Sequence, residues 1–272
     1  MDTNVLLLNA IWAAVLAGRK IMEIYTDPLS DFEIEKKADN SPLTIADRCA
    51  HQIISGCLEK LPYPILSEEG RSIPYQERRL WPTLWIVDPL DGTKEFIKRN
   101  GEFTVNIALV NEGIPVLGVI YVPVSGLLYF GDEENGAYKT TVTEKADIQK
   151  MDIVGLRQAA LRLPIKKERP YTAVASRSHM DKDTEALLLE LKKEYPDLVT
   201  TSVGSSLKIC LVAEGAADIY PRNAPTMEWD TAAGHALLRA AGMDMYRSGT
   251  AVPLCYNKED LHNPFFIALK NK

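Results

Sequence analysis

Apolar and polar positions in the first half of the chain follow two periods, one typical of helices and then one typical of strands. Apolar residues recur with helical spacing over residues 1–25, and Thr44 is suited to cap a second helix over 45–61. The predicted strands that come later in this half are 104–110, 114–122 and 127–130. Only short polar breaks separate these strands, which favours an antiparallel meander.

The second half alternates strand and helix patterns, which is typical of α/β architecture. The predicted strands are 172–176, 198–203 and 217–220, and the predicted helices are 183–194, 205–214 and 230–241. The polar stretch 140–150 is the best boundary between the two patterns. We therefore expect an N-terminal α+β half over 1–145, with the antiparallel sheet, and a C-terminal α/β half over 146–272.

Composition agrees with an ordinary globular protein that has a large core. The chain has 272 residues, of which 46% are hydrophobic and 25% are charged. The net charge of −6 argues against a nucleic-acid partner, because a general nucleic-acid binder needs a basic surface. No CxxC pair or disulfide-dense spacing occurs, which favours reduced thiols in the cytoplasm. The cysteines are Cys49, Cys57, Cys210 and Cys255.

The first helix contains an apolar run that must be distinguished from a membrane segment. Residues 5–17 are apolar except for Asn9, are too short to span a bilayer, and follow Asp2 rather than a basic segment. We expect a core-facing helix, no stable membrane insertion and a cytoplasmic protein. Peripheral association of this helix with the inner membrane is kept as an alternative.

Two carboxylates stand at the end of a strand-like run in the segment 85–93. Valine and isoleucine favour a buried strand, and a proline and a glycine then force a tight reversal, so that Asp88 and Asp91 can converge on one point. Gly92 and Thr93 would offer N–H groups and a hydroxyl to an anion. Such oxygen ligands suit Mg²⁺ rather than zinc. The alternative is an ordinary Asp-Pro…Asp-Gly turn.

Further acids occur in two other segments. Glu68 and Glu69 follow the apolar run 65–66 and precede a glycine, and Asp230 begins an alanine-rich helical segment. They would strengthen a metal site if the fold brought them to Asp88. The alternatives are that Asp230 is a helix N-cap and that the two glutamates are solvated loop acids.

These three segments, in this order and spacing, resemble the motifs of the inositol monophosphatase superfamily of Mg²⁺-dependent, lithium-sensitive phosphatases. The longer strings 88–109, 204–208 and 220–222 resemble the 3'(2'),5'-bisphosphate nucleotidases of the CysQ type within it. The resemblance covers nearly the whole chain. It implies a layered α-β-α-β-α sandwich of the inositol monophosphatase and fructose-1,6-bisphosphatase type. The active site would lie between the halves, where Asp230 could join the other acids.

The resemblance also implies a set of metal ligands. Glu68, Asp88 and the backbone carbonyl of Leu90 would hold one Mg²⁺, and Asp88, Asp91 and Asp230 would hold another. A third, weaker ion near Glu68 would bring the total to two or three.

Thr93 and Asp47 are the implied catalytic pair, which would position or deprotonate the attacking water. The alternatives are a turn or capping hydroxyl for Thr93, and compensation of a helix dipole for Asp47. Direct attack by water is expected, because no nucleophilic cysteine or serine motif accompanies the acids.

The expected substrate is a small bisphosphorylated adenosine nucleotide. The residues expected to contact it are Glu68, Leu90, Asp91, Gly92, Thr93, Ser178, His179, Ser205, Ser206, Lys208, Arg222 and Asp230. Gly-Ser-Ser at a strand-to-helix junction could bind the 5'-phosphate. The alternatives are that Ser205 is only an N-cap, that Lys208 is an exposed cation and that His179 is a surface residue. His235, on the alanine-rich helix, is expected to be structural.

The sequence therefore predicts hydrolysis of the 3'-phosphate of adenosine 3',5'-bisphosphate to AMP and phosphate, within sulfur metabolism. The phosphosulfate analogue is a plausible second substrate. Inositol monophosphatase or fructose-1,6-bisphosphatase activity is the first alternative. A noncatalytic, metal-dependent nucleotide sensor is the alternative from another class. The oligomeric state is left open.

Overall fold

Two β-sheets and the helices packed on them make up the fold, in a computed structural model that describes residues 1–37, 42–175 and 181–270. The helices are α1 (Thr3–Thr26), α2 (Ile45–Leu58), α3 (Tyr75–Arg78), α4 (Thr93–Ile97), α5 (Ile153–Ala159), α6 (Lys182–Glu194), α7 (Leu207–Ala213) and α8 (Glu228–Ala240). The strands are β1 (Glu35–Lys36), β2 (Pro42–Leu43), β3 (Ile65–Ser67), β4 (Thr83–Asp91), β5 (Thr104–Asn111), β6 (Ile114–Val122), β7 (Leu127–Asp132), β8 (Gly136–Thr141), β9 (Leu161–Arg162), β10 (Thr172–Val174), β11 (Val199–Thr201), β12 (Ile219–Arg222), β13 (Met243–Arg247) and β14 (Phe266–Lys270).

The larger sheet has seven strands in the order β3-β4-β5-β6-β7-β8-β9. Its neighbours are antiparallel except for β3 and β4, which are parallel. The predicted meander is confirmed as β5, β6 and β7. The smaller sheet has the order β11-β10-β12-β14-β13, in which β10 is parallel to both β11 and β12. Helix α6 forms the crossover between β10 and β11, as parallel strands require.

Strand β4 shows how the layers are built, because it is buried on both faces. Trp85 and Val87 belong to the core that contains α1 and α2. Leu84 and Ile86 belong to a second core, which α7 and α8 share with the smaller sheet. A continuous apolar run is therefore needed here rather than alternation. The order of layers is helices, large sheet, helices and small sheet, which confirms the predicted layered architecture in its first four layers.

The element boundaries differ from the sequence prediction by a few residues. Helix α2 ends at Leu58 rather than 61, α8 begins at Glu228 rather than 230, and β12 covers 219–222 rather than 217–220. Helix α5 and strands β8, β13 and β14 were not predicted. The division at residue 145 stays a prediction; strand β9, which lies beyond it, pairs with β8 of the larger sheet. The four cysteines are free, as expected.

Helix α1 is longer than its apolar run. Its 24 residues are long and apolar enough, by length and composition alone, to cross a membrane, so the prediction that this segment is too short to span a bilayer is wrong. Its burial supports the expected core-facing role instead. Leu7, Ala10, Ile11 and Ala14 have no exposed surface and pack in the core beside α2 and the large sheet.

Gly118 allows close packing of α8 on β6, and we predict that it cannot be enlarged without cost. A Cβ at Gly118 would lie 2.3 Å from the Ala233 carbonyl oxygen and 2.9 Å from the Ala236 Cβ. Gly118→Ala should therefore lower the free energy of unfolding by about 1–3 kcal/mol in urea denaturation. Gly56→Ala is the matched control, because a Cβ on that helical glycine meets nothing within 4 Å. The control should be neutral or stabilising, by up to about 1 kcal/mol. An equal loss in both variants would contradict this packing argument.

Candidate metal and phosphate site

The end of strand β4 is shaped to present two carboxylates. Its pairing with β5 shifts register between Asp88 and Asp91, so the strand is irregular where the acids lie. The Leu90 N–H donates to Asp88 Oδ1 at 3.1 Å. Gly92 has a φ of 93°, which a glycine adopts without strain, and the chain then enters α4 at Thr93. The predicted strand is confirmed, but it continues through Pro89 to Asp91, so the chain reverses at Gly92 and not at the proline.

Asp88 is the buried centre of the acidic cluster, with 2% of its surface exposed. Burial raises its pKa well above the usual range, and the charges of Glu68, Asp91 and Asp230 raise it further. Glu68 comes close because β3 and β4 pair in parallel and Ser67 lies opposite Val87. The fold therefore brings together acids from three separate parts of the sequence.

Asp230 lies in the first turn of α8, where its Oδ2 accepts from the Met227 N–H at 2.8 Å. Met227 is the N-cap residue, so the alternative that Asp230 is the N-cap is wrong. Burial raises the pKa of Asp230 to about 8, and the charge of Asp91 contributes to this shift. The carboxylate thus helps to start the helix and also lies in the acidic cluster.

Asp47 and Thr93 form the expected pair. The Thr93 hydroxyl donates to Asp47 Oδ1 at 3.1 Å. Asp47 Oδ2 accepts from the Thr44 N–H at 2.7 Å and from the Thr44 hydroxyl at 2.6 Å, which confirms Thr44 as the N-cap of α2. Burial raises the pKa of Asp47. Asp47 therefore stabilises the start of α2 and orients Thr93 at the same time.

Lys37 is a contact that sequence reasoning missed. Its ammonium lies 2.6 Å from Glu68 Oε1 and also pairs with Glu69, so these glutamates are not solvated loop acids.

Within residues 1–37, 42–175 and 181–270, no group of three or more His, Cys, Asp or Glu side chains is arranged so that it could hold a metal ion. The donor set is nevertheless all oxygen. Burial and neighbouring negative charges raise the pKa values of Glu68, Asp88 and Asp230, which indicates unbalanced negative charge. These features fit a hard divalent cation such as Mg²⁺.

Ser206 connects the two halves of the chain through Asp91. Its N–H and its hydroxyl each lie 2.6 Å from Asp91 Oδ2, and Asn106 Nδ2 donates to the same hydroxyl at 2.9 Å. Both Ser206 donors therefore face a carboxylate here, and binding of phosphate by Ser206 stays a prediction. Asn106 was missed because a single asparagine inside a strand pattern carries no local signal.

Ser205 has a strained backbone and an unsatisfied side chain. Its φ is 46°, and its buried hydroxyl has no hydrogen-bond partner within the described parts of the chain. The N-cap of α7 is Ser206, so the alternative that Ser205 caps this helix is wrong. Strained, unpaired groups of this kind are frequent at ligand sites.

Two cations stand beside this loop. Lys208 is half-buried and donates to the Ser205 carbonyl at 3.1 Å, so the alternative of an exposed cation is wrong. Burial lowers its pKa, the charge of Asp91 opposes that shift, and the nearby Arg222 adds to it. Arg222 Nε has no partner among the residues that the structure describes. Ser178 and His179 lie outside the described residues, so their roles stay predictions.

His235 is structural, as expected. It has no exposed surface, and its ring nitrogens contact the Tyr256 hydroxyl at 3.0 Å and Asp244 Oδ1 at 2.6 Å. Burial lowers its pKa. The contacts tie the middle of α8 to β13.

Comparison with known proteins identifies the family. The model of the inositol monophosphatase family matches residues 3–264. The chain belongs to the inositol monophosphatase family. A relative from Escherichia coli K12, the 3'(2'),5'-bisphosphate nucleotidase CysQ, is 45% identical over 253 residues, which are 92% of this chain and 94% of the relative.

Solved structures agree with this family assignment. The crystal structure of CysQ from Bacteroides thetaiotaomicron, a bacterial member of the same family, superposes with a TM-score of 0.92 at 56% identity and covers 99% of each chain. An inositol monophosphatase from Thermotoga maritima shares the fold, with a TM-score of 0.67 at 22% identity over 95% of this chain and 89% of that one.

The raised carboxyl pKa values predict a characteristic pH dependence of stability in the metal-free protein. Because the pKa of Asp230 rises to about 8 on folding, its contribution to stability is complete below its usual pKa near 3.8 and is lost as pH rises through about 8. Asp88 and Glu68 shift in the same direction. In chelator, the free energy of unfolding should fall between about pH 5 and pH 9, by at most about 1.4 kcal/mol per pH unit for each titrating group.

Urea denaturation in chelator measures this trend. Asp230→Asn, which has no titrating group at that position, should show a flatter profile, and added Mg²⁺ should reduce the slope for the unmodified protein. A stability that rises with pH over this range would contradict the proposed electrostatics.

Proposed function

We propose that this protein is a Mg²⁺-dependent phosphatase that removes the 3'-phosphate from adenosine 3',5'-bisphosphate and leaves AMP. The observation that carries the proposal is the cluster of Asp88, Asp91 and Asp230 beside the hydrogen-bonded pair of Thr93 and Asp47. The relatives named 3'(2'),5'-bisphosphate nucleotidase support the choice of substrate class. Such an activity would place the enzyme in sulfur metabolism, where the phosphosulfate analogue is a second candidate substrate.

The carboxylates would hold the metal ions. Glu68, Asp88 and the Leu90 carbonyl would bind one Mg²⁺, and Asp88, Asp91 and Asp230 would bind a second. A third, weaker ion near Glu68 would compete with Lys37, which pairs with that side chain here. Bound ions would supply positive charge to balance the acids and to attract the phosphoryl oxygens of the substrate.

Thr93 and Asp47 would handle the attacking water. Because the Thr93 hydroxyl already donates a hydrogen bond to Asp47, its oxygen can accept a hydrogen bond from water. As the water oxygen bonds to phosphorus, its proton would pass to Thr93 while the threonine proton passes to Asp47. The bond between phosphorus and the 3'-oxygen breaks, and the leaving oxygen takes up a proton from solvent water. Asp47 then returns its proton to the solvent, so that one water molecule is consumed overall. The raised pKa of Asp47 favours its role as the acceptor.

The second phosphate distinguishes the nucleotide from simpler substrates. Lys208 and Arg222 supply positive charge beside the metal ligands, and Ser205 has a hydroxyl without a partner among the described residues. These groups suit a non-scissile 5'-phosphate, which is dianionic and accepts several hydrogen bonds. Inositol 1-phosphate lacks a second phosphate, so it would leave these groups unpaired. The proposed roles of Ser178 and His179 at the nucleoside rest on the resemblance alone.

The structure favours catalysis over metal-dependent sensing. A sensor needs ligands for the nucleotide and the metal, but it needs no proton acceptor behind a hydroxyl. The contact of 3.1 Å between Thr93 and Asp47 supplies that acceptor. A cytoplasmic location fits the free cysteines and the burial of α1, which leaves no separate apolar segment for membrane insertion in the described part of the chain.

Substrate preference tests the proposal. In the presence of Mg²⁺, kcat/KM for adenosine 3',5'-bisphosphate should exceed that for inositol 1-phosphate by at least about tenfold, which is ~1.4 kcal/mol of transition-state stabilisation. Phosphate release should be measured for both compounds and for fructose 1,6-bisphosphate. Asp91→Asn, prepared in the same way, controls for contaminating phosphatases because it loses a metal-binding charge. Equal rates, or a preference for inositol phosphate, would reject the nucleotidase assignment.

A further inference from the structure

We infer that His51 is a positioning residue, which holds the loop that carries Glu68 at a fixed distance from the pair of Thr93 and Asp47. His51 Nδ1 lies 2.9 Å from the Ser67 hydroxyl oxygen, and Ser67 is the residue immediately before Glu68. The proposed chemistry does not use His51. The inference rests on the proposed function in one respect, which is that Glu68 is a metal ligand.

One face of α2 makes both contacts. Asp47 and His51 are four residues apart in this helix, so their side chains lie on the same side, about one turn apart. Asp47 accepts from Thr93, at the start of α4. His51 meets Ser67 at the end of β3. A single rigid helix therefore sets the distance between the loop that carries Glu68 and the residue that would hold the water.

The loop after Ser67 is tight enough to transmit this contact. The Gly70 N–H donates to the Ser67 carbonyl at 3.0 Å, and the Glu68 N–H donates to the Val87 carbonyl at 3.1 Å. A Cβ at Gly70 would lie 3.2 Å from the Ser67 carbonyl oxygen and 3.7 Å from His51 Cε1, so the turn packs against the imidazole. Movement of Ser67 would consequently move the backbone that carries Glu68.

The hydrogen bond matters because packing alone does not confine the ring. His51, Ser67 and Gly70 line a cleft of about 280 Å³, which also borders Ser55 one turn further along α2. An imidazole beside open space can rotate when its partner is lost. Ser67 is 7% exposed, so few other groups can reach its hydroxyl.

Direct Mg²⁺ binding to the full chain, measured by calorimetry without substrate, tests the inference. His51→Leu and Ser67→Ala should each weaken Mg²⁺ binding by about threefold to tenfold. This is less than the roughly 10–100-fold loss typical of direct partners of metal ligands, because His51 acts on Glu68 only through Ser67. The double variant should be no weaker than the single ones, because both remove the same bond. His51→Asn should restore most of the affinity, since its amide can occupy the position of Nδ1. Ser55→Ala, in the same helix and cleft, is the matched control and should bind as the unmodified protein does.

Activity gives a second readout. The Mg²⁺ concentration for half-maximal rate should rise in His51→Leu, while kcat at saturating Mg²⁺ should change by less than about twofold. Unchanged Mg²⁺ binding in both single variants, or additive losses in the double variant, would overturn the inference while leaving the proposed function intact. Absence of Mg²⁺ binding by the unmodified protein would overturn both. If His51→Leu does not fold, Ser67→Ala and His51→Asn carry the same comparison.

Discussion

Repulsion among buried carboxylates is the constraint on which the rest of this structure depends. Asp88 is almost fully buried beside three other acids; burial raises its pKa most, and the charges of these acids raise it further. Such a cluster is costly unless protons or cations neutralise it. The irregular end of β4, the parallel pairing of β3 with β4 and the first turn of α8 together create this cluster. The architecture is thus organised around a site that requires positive charge.

Hydrogen bonds from the scaffold orient these acids without neutralising them. Asp91 Oδ2 accepts from the N–H and hydroxyl of Ser206, and Asp230 Oδ2 accepts from the Met227 N–H. Asp47 Oδ2 is engaged in the same way by Thr44, so that Oδ1 faces Thr93. In each case one oxygen fixes the side-chain orientation and the other can face a ligand or a hydroxyl. This arrangement is a form of preorganisation, because the geometry is set before the charge arrives.

Local patterns predicted the parts of the fold that local chemistry determines. The β5-β6-β7 meander and the Thr44 cap follow from spacing over a few residues, and they are confirmed. The resemblance supplied the acidic cluster, which no spacing rule could have assembled. The contact between Asp91 and Ser206 joins residues 115 positions apart, and Lys37 meets Glu68 across a separation of 31. Periodicity encodes which face of an element is buried, but it does not encode the partner of that face.

We expect protons to occupy these buried carboxylates until Mg²⁺ replaces them. Calorimetric titration of Mg²⁺ into the chelator-treated protein near pH 7, in two buffers with different enthalpies of ionisation, measures the exchange directly. The raised pKa values of Asp88 and Asp230 predict that roughly one proton or more is released per chain on binding, and that affinity rises with pH. Mg²⁺ binding without proton release, or no binding at all, would contradict the account.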